Sequence, residues 1–190
     1  MKALLVIDYQ NDFVSPVGKI AKRSGLNPTK LQNIYCHIKD LIDLFHKKHC
    51  QVIYILSDYN TKYYQGAFKS FRKYQSIYGN TGLKDSWGHQ LFGLSKNQKD
   101  KIIVKHFSDS FYKTDLGQYL QRRKIKELFV CGIHTDVCVF QTTIGAAIRG
   151  FNVFVVRDAT ETLSKNKKMF LEYLKDFLGV KIVDSKKIIL

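Results

Sequence analysis

An aspartate, a lysine and a cysteine each stand at the end of a short apolar run in this sequence. Asp8 closes ALLVID, Lys105 closes KIIVK, and Cys138 follows ELFVCG (127–132) within GIHTDVCVFQTT (132–143). A buried free cysteine is ordinarily a small hydrophobe. At the start of a helix its thiolate is favoured instead, because the first-turn N–H groups and the helix dipole stabilise an anion. Thr135 and Asp136 are the candidate caps of that helix, and on this reading the pKa of Cys138 falls. A neighbouring carboxylate such as Asp8 can take the thiol proton and later hand it to a leaving amine. Lys105 supplies a positive charge that favours both the carboxylate and the thiolate. Backbone N–H groups of His134 and Cys138 can bind the oxyanion of an acyl-transfer step. A Cys–His pair using His134 or His106 is the rival arrangement, and the residues alone leave both open.

These positions need a scaffold that gathers strand ends, and the order of elements supplies one. Apolar runs at 2–10, 51–58, 101–107, 127–132, 152–159 and 180–185 read as strands buried on both faces. Between them, helical spacing appears at 27–50 (Ile34, Ile38, Leu41, Ile42, Phe45), 114–124, 135–150 and 164–179. Thr114 is a plausible N-cap, and Gly150 a helix stop. Alternating strands and helices predict an α/β fold: a three-layer α/β/α sandwich around a central, mainly parallel, Rossmann-like sheet. Ligands of such sheets sit at the carboxyl ends of the strands. That rule selects Asp8, Asp58, Lys105, the 132–138 turn and Asp158. No GxGxxG or GxxxxGK[ST] pattern marks a nucleotide site.

Composition narrows the classes further. The 190 residues suit one domain spanning 1–190, with 45% hydrophobic residues and only two prolines. Cys36, Cys50, Cys131 and Cys138 lie singly, which predicts neither a disulfide framework nor a structural zinc site and fits a reducing cytoplasm. No run approaches the ~18 apolar residues of a membrane span, and the N-terminus does not read as a signal peptide. The net charge is +15, but the lysines scatter through HKKH, NQKDK, QRRKIK and SKNKK rather than forming one block. They read as solvated faces, without a nucleic-acid-binding motif.

Three separated motifs, in order, resemble the isochorismatase-like hydrolases, particularly their nicotinamidase and pyrazinamidase branch. These are ALLVIDYQNDF, IIVKHFSDSF and VCGIHTDVCVFQTTIGAAIRGFNVFVVRDA; GNTG (79–82) resembles the family's glycine-threonine turn. The resemblance implies an Asp8–Lys105–Cys138 triad with Cys138 as nucleophile. It also implies a cis peptide at Ile133–His134, so that the backbone N–H groups of His134 and Cys138 form the oxyanion hole and the imidazole is not required. Substrate-pocket walls are then Phe13, Phe107, Phe111 and loop aromatics such as Tyr59, Tyr63 and Tyr64.

Nicotinamidases of this kind hold a divalent ion through an aspartate and histidines beyond the second strand. Here Asp58 and Asn60 occupy those metal-site positions, while 61–75 holds no histidine and His89 lies farther along. Asn is a weak replacement for imidazole on zinc or a similar ion. No cofactor is therefore expected. The implied function is hydrolysis of a small molecule's C–N amide bond through a cysteine thioester. The alternative is a nicotinamidase (nicotinamide to nicotinate plus ammonia, in NAD salvage) with an altered or absent metal site; a non-enzymatic basic binding module is a distant third. The resemblance also implies a homo-oligomer, a dimer or tetramer. The partner expected is a small-molecule amide, not nucleic acid or a membrane.

Overall fold

In the computed structural model, which describes residues 1–24, 27–64 and 72–190, the six apolar runs form one sheet. Its strands are β1 (Lys2–Ile7), β2 (Gln51–Ser57), β3 (Lys101–Lys105), β4 (Glu127–Ile133), β5 (Asn152–Glu161) and β6 (Lys181–Val183). They lie in the order β3-β2-β1-β4-β5-β6, with every pairing parallel. The helices are α1 (Asn11–Val14), α2 (Lys19–Ser24), α3 (Thr29–Gln32), α4 (Tyr35–Lys47), α5 (Arg72–Tyr78), α6 (Leu116–Arg122), α7 (Phe140–Ala147) and α8 (Lys167–Leu178).

The two-residue period of a strand explains the layers. On β1, Leu4 and Val6 face one core, shared with Ile38, Leu41, Ile42 and Phe45 of α4. Ala3, Leu5 and Ile7 face the other, shared with Leu116 and Leu120 of α6, Ala146 of α7, and Leu171 and Leu174 of α8. Helices therefore cover both sheet faces, giving the α/β/α sandwich. Among the described residues no helix is long and apolar enough to cross a membrane.

Element boundaries depart from the sequence reading at informative places. β1 ends at Ile7 rather than residue 10, because Asp8 turns into the left-handed region with φ +52°. The run over 27–50 divides into α3 and α4. The run over 135–150 opens with a wide π-helical turn, Thr135–Val139, before α7 begins. β5 continues to Glu161, so Asp158 lies within a strand instead of at its end.

Candidate active site

Parallel register brings the strand ends level. Ile7 pairs with Ile55 and with Gly132, and Ser57 pairs with Lys105. Gly132 has φ +106°, and a Cβ there would meet the Ile7 carbonyl oxygen at 2.1 Å, so only glycine lets β4 pass this close to β1. Beside that contact Asp8 turns inward, its N–H bonded to the Ile55 carbonyl at 2.9 Å. Its left-handed backbone is uncommon for a residue with a side chain, and aspartate tolerates it better than most.

Lys105 Nζ lies 2.8 Å from Asp8 Oδ2, with both side chains shielded from solvent. The ammonium also donates to Ser57 Oγ at 2.9 Å, Tyr59 Oη at 2.7 Å and the Phe107 carbonyl at 3.1 Å. Burial penalises this cation, yet the Asp8 carboxylate and Cys138 outweigh the penalty and hold Lys105 above the ordinary lysine value. Ser57 donates onward to Asp8 Oδ1 at 2.8 Å. Gln10 clamps the end of β2, accepting from Ser57 N–H at 2.7 Å and donating to the Ser57 carbonyl at 3.1 Å.

Cys138 is buried in the π-helical turn, its Sγ 3.3 Å from Tyr59 Oη. Neither expected cap serves the helix. Thr135 Oγ1 bonds to Thr160 Oγ1 at 3.0 Å, and the Asp136 carboxylate accepts from Thr162 and Ser164 at 2.5 Å each. The thiol pKa does not fall as the helix-start argument predicts: burial pushes it up to about 12. Lys105 and Tyr59 pull it down, while the charge of Asp8 and a hydrogen bond to it push it up further. The resting group is a neutral thiol beside the Asp8 side chain.

The Ile133–His134 peptide is cis. The His134 ring packs edge-on to Phe13, with centroids 6.4 Å apart, and tilts 6.2 Å from Tyr78. Burial lowers its pKa, and among the described residues its buried Nε2 has no hydrogen-bond partner. His106 turns elsewhere: its Nδ1 donates to the Asp58 carbonyl at 2.8 Å and its ring stacks on Tyr63 at 3.6 Å. Asp158 leaves the site altogether, accepting from the N–H and hydroxyl of Ser185.

Of the expected pocket walls, Phe13 and Tyr59 are buried together, with centroids 6.1 Å apart. Phe107 packs on Tyr64 and Tyr112. Phe111 packs in the core cluster that also holds Cys138, stacked on Phe151 and beneath the Arg149 guanidinium. Residues 65–71 of the aromatic loop lie outside the described residues. The sequence reading missed Ser57, Gln10 and Tyr78, whose ring lies 5.9 Å from that of Tyr59. Only the strand-end position of Ser57 hinted at such a role.

The sequence matches the isochorismatase domain over residues 2–185. The chain belongs to the isochorismatase family. It is similar to the nicotinamidase of Saccharomyces cerevisiae, 26% identical over 201 residues that cover 89% of this chain and 92% of the yeast protein. It is also similar to the ureidoacrylate amidohydrolase of Acinetobacter baylyi, 28% identical over 153 residues. That match covers 74% of this chain but only 62% of the relative's length. The N-carbamoylsarcosine amidase of Thermoplasma acidophilum shares the fold, with a TM-score of 0.81, 21% identity and 98% of each chain covered. The protein is thus an isochorismatase-family hydrolase with amidase-type relatives.

Among the described residues, the side chains around Asp58 do not gather into the ligand set that the resemblance to nicotinamidases implies. Among the described residues no group of three or more His, Cys, Asp or Glu side chains could hold a metal. Asn60 Oδ1 accepts the Lys62 N–H at 3.1 Å, capping the following turn. His89 Nδ1 lies 2.8 Å from the Gly82 carbonyl, and His106 Nδ1 donates to the Asp58 carbonyl, which leaves only the Nε2 of each ring with a lone pair. Among the described residues the buried Asp58 Oδ1 has no hydrogen-bond partner, and the His106 Nδ1 stands 3.9 Å from its other oxygen. One carboxylate does not make a cation site.

Proposed function

We propose that this chain is a small-molecule amidase that cleaves a C–N bond through a Cys138 thioester. The observation that carries the reading is the sealed cluster of Asp8, Lys105 and Cys138 at the carboxyl end of the sheet, with Lys105 Nζ 2.8 Å from Asp8 Oδ2. The amidase-type relatives support it.

In the first half-reaction Asp8 takes the thiol proton as Sγ attacks the carboxamide or ureido carbon. The carbonyl oxygen gathers negative charge, which the N–H groups of His134 and Cys138 receive. As the tetrahedral adduct collapses, Asp8 returns its proton to the departing nitrogen, which leaves as ammonia or amine. The acyl group remains on sulfur. Water then attacks the thioester with Asp8 as base, and the C–S bond breaks. Asp8 gives that proton back to sulfur, restoring the thiol. Lys105 keeps its protons throughout, balancing negative charge as it moves between carboxylate and sulfur.

The similarity to yeast nicotinamidase favours nicotinamide as one substrate to test, while the donor set around Asp58 argues against the metal-assisted version. The deciding experiment measures ammonia release from a panel of primary carboxamides and ureido compounds, nicotinamide included, with and without chelator. Turnover that survives chelation and disappears in Cys138→Ala and Cys138→Ser is expected. Chelator-sensitive hydrolysis of nicotinamide alone would favour the second reading. No release from any member of the panel would overturn both.

A further inference from the structure

The resemblance makes Tyr59 a pocket wall, but its hydroxyl stands between the Lys105 ammonium and the Cys138 sulfur. Lys105 Nζ is 2.7 Å away on one side and Cys138 Sγ 3.3 Å on the other. The directions of these hydrogen bonds follow from the donor inventory. An ammonium only donates, so the phenol oxygen accepts from Lys105, leaving its O–H to donate. Sulfur is within reach of that O–H. Ser57 repeats the pattern on the other side of the lysine, accepting from Nζ at 2.9 Å and donating to Asp8 Oδ1 at 2.8 Å. One buried cation thereby orients two hydroxyls, one toward the base and one toward the nucleophile.

We propose that the Tyr59 hydroxyl is a fourth catalytic group: oriented by Lys105, it donates to Cys138 Sγ and stabilises the thiolate formed when Asp8 takes the thiol proton. It makes the same hydrogen bond a second time, when the thioester breaks and sulfur departs with its electron pair. No proton changes hands at Tyr59; the thiol proton goes to Asp8 and returns from it.

The donor is held in place before reaction. Tyr59 N–H bonds to the Thr81 carbonyl at 3.0 Å, and its own carbonyl accepts from Asn80 N–H at 2.6 Å. Phe13 and Tyr78 pack edge-on against its ring at 6.1 and 5.9 Å. Arg23 fixes the same 79–81 turn from α2, donating to the Gly79 carbonyl and to Thr81 Oγ1. A fixed dipole aimed at developing charge in a dry site needs no reorganisation when the charge appears. It also counters burial, which disfavours the anion here.

This role rests on the amidase reading for its kinetic consequence, but the test on the cysteine needs no substrate. The rate of Cys138 alkylation by iodoacetamide, followed by mass spectrometry at a fixed pH below the thiol's midpoint, reports the thiolate fraction. Tyr59→Phe should slow this labelling about tenfold to a hundredfold, the range expected for losing a hydrogen bond to a charged group. Removing an oxygen opens the site slightly, so a steric effect would run the other way. Replacing Tyr59 with 3-fluorotyrosine, a stronger O–H donor of nearly the same shape, should speed the labelling. That arm tests the proposal even where Tyr59→Phe fails to fold. On an amide that the enzyme turns over, kcat should fall in Tyr59→Phe with KM nearly unchanged. Equal labelling rates in wild type and both variants would overturn the role of Tyr59 and leave it a wall. A panel without any amide turnover would overturn the amidase reading, while the labelling rates would still decide Tyr59.

Discussion

Lys105 Nζ and Asp8 Oδ2 form an ion pair 2.8 Å long in which the lysine side chain is 0% and the aspartate 1% exposed. A pair this deeply buried gains little over two apolar residues of the same shape, but losing one partner strands the other. Lys105→Met is expected to cost about 3–5 kcal/mol in urea unfolding for that reason. The double variant Asp8→Asn, Lys105→Met should recover most of this loss while remaining inactive. A double variant no more stable than Lys105→Met would argue that the lysine contributes packing rather than charge.

Stability at alkaline pH should carry a signature of Cys138. Its folded pKa is raised, so the unfolded chain loses this proton first as pH rises. The contribution is fully present below the ordinary thiol value of 9.0 and is lost on the way up to about 12. The wild type should therefore lose stability across that window more steeply than Cys138→Ala, measured by chemical denaturation at each pH. Burial also raises the pKa values of Tyr9 and Tyr54, which both proteins share and the difference cancels; Tyr64 and Tyr78 are raised by burial and further by the charge of Cys138, so their change belongs to the same Cys138 signature. Parallel curves would contradict a raised thiol.

Gly132 and Gly150 offer a matched comparison, since both have positive φ. A Cβ at Gly132 meets the Ile7 carbonyl oxygen at 2.1 Å, whereas one at Gly150 meets nothing within 4 Å. Gly150→Ala should cost only backbone strain, about 1–2 kcal/mol. Gly132→Ala must also push β4 from β1, with a loss on the order of 4 kcal/mol or more in the same denaturation assay. Ammonia release should fall with it, because the displaced strand carries the 133–138 turn.

His134 separates the two cysteine mechanisms. If its backbone N–H does the work, His134→Ala should keep kcat within about tenfold, or ~1.4 kcal/mol. KM should move instead, because the ring packs on Phe13 and Tyr78. An imidazole acting as general base would cost about a hundredfold to ten-thousandfold in kcat.

Much of this molecule is legible along the chain. The apolar runs had to be strands buried on both faces, because nothing else accommodates VIYIL and LFV between amphipathic helices. Parallel order then follows from the alternation, and with it the gathering of Asp8, Lys105 and Cys138 at one edge. What lies across space was not legible. Ser57 and Tyr59 stand two residues apart at the end of β2, and only the register of β2 on β1 and β3 turns one hydroxyl to Asp8 and the other to Cys138. The direction of the cysteine shift is also a tertiary matter. A helix start argues from neighbours in sequence, whereas desolvation depends on everything that closes over the sulfur, and here desolvation is the larger effect.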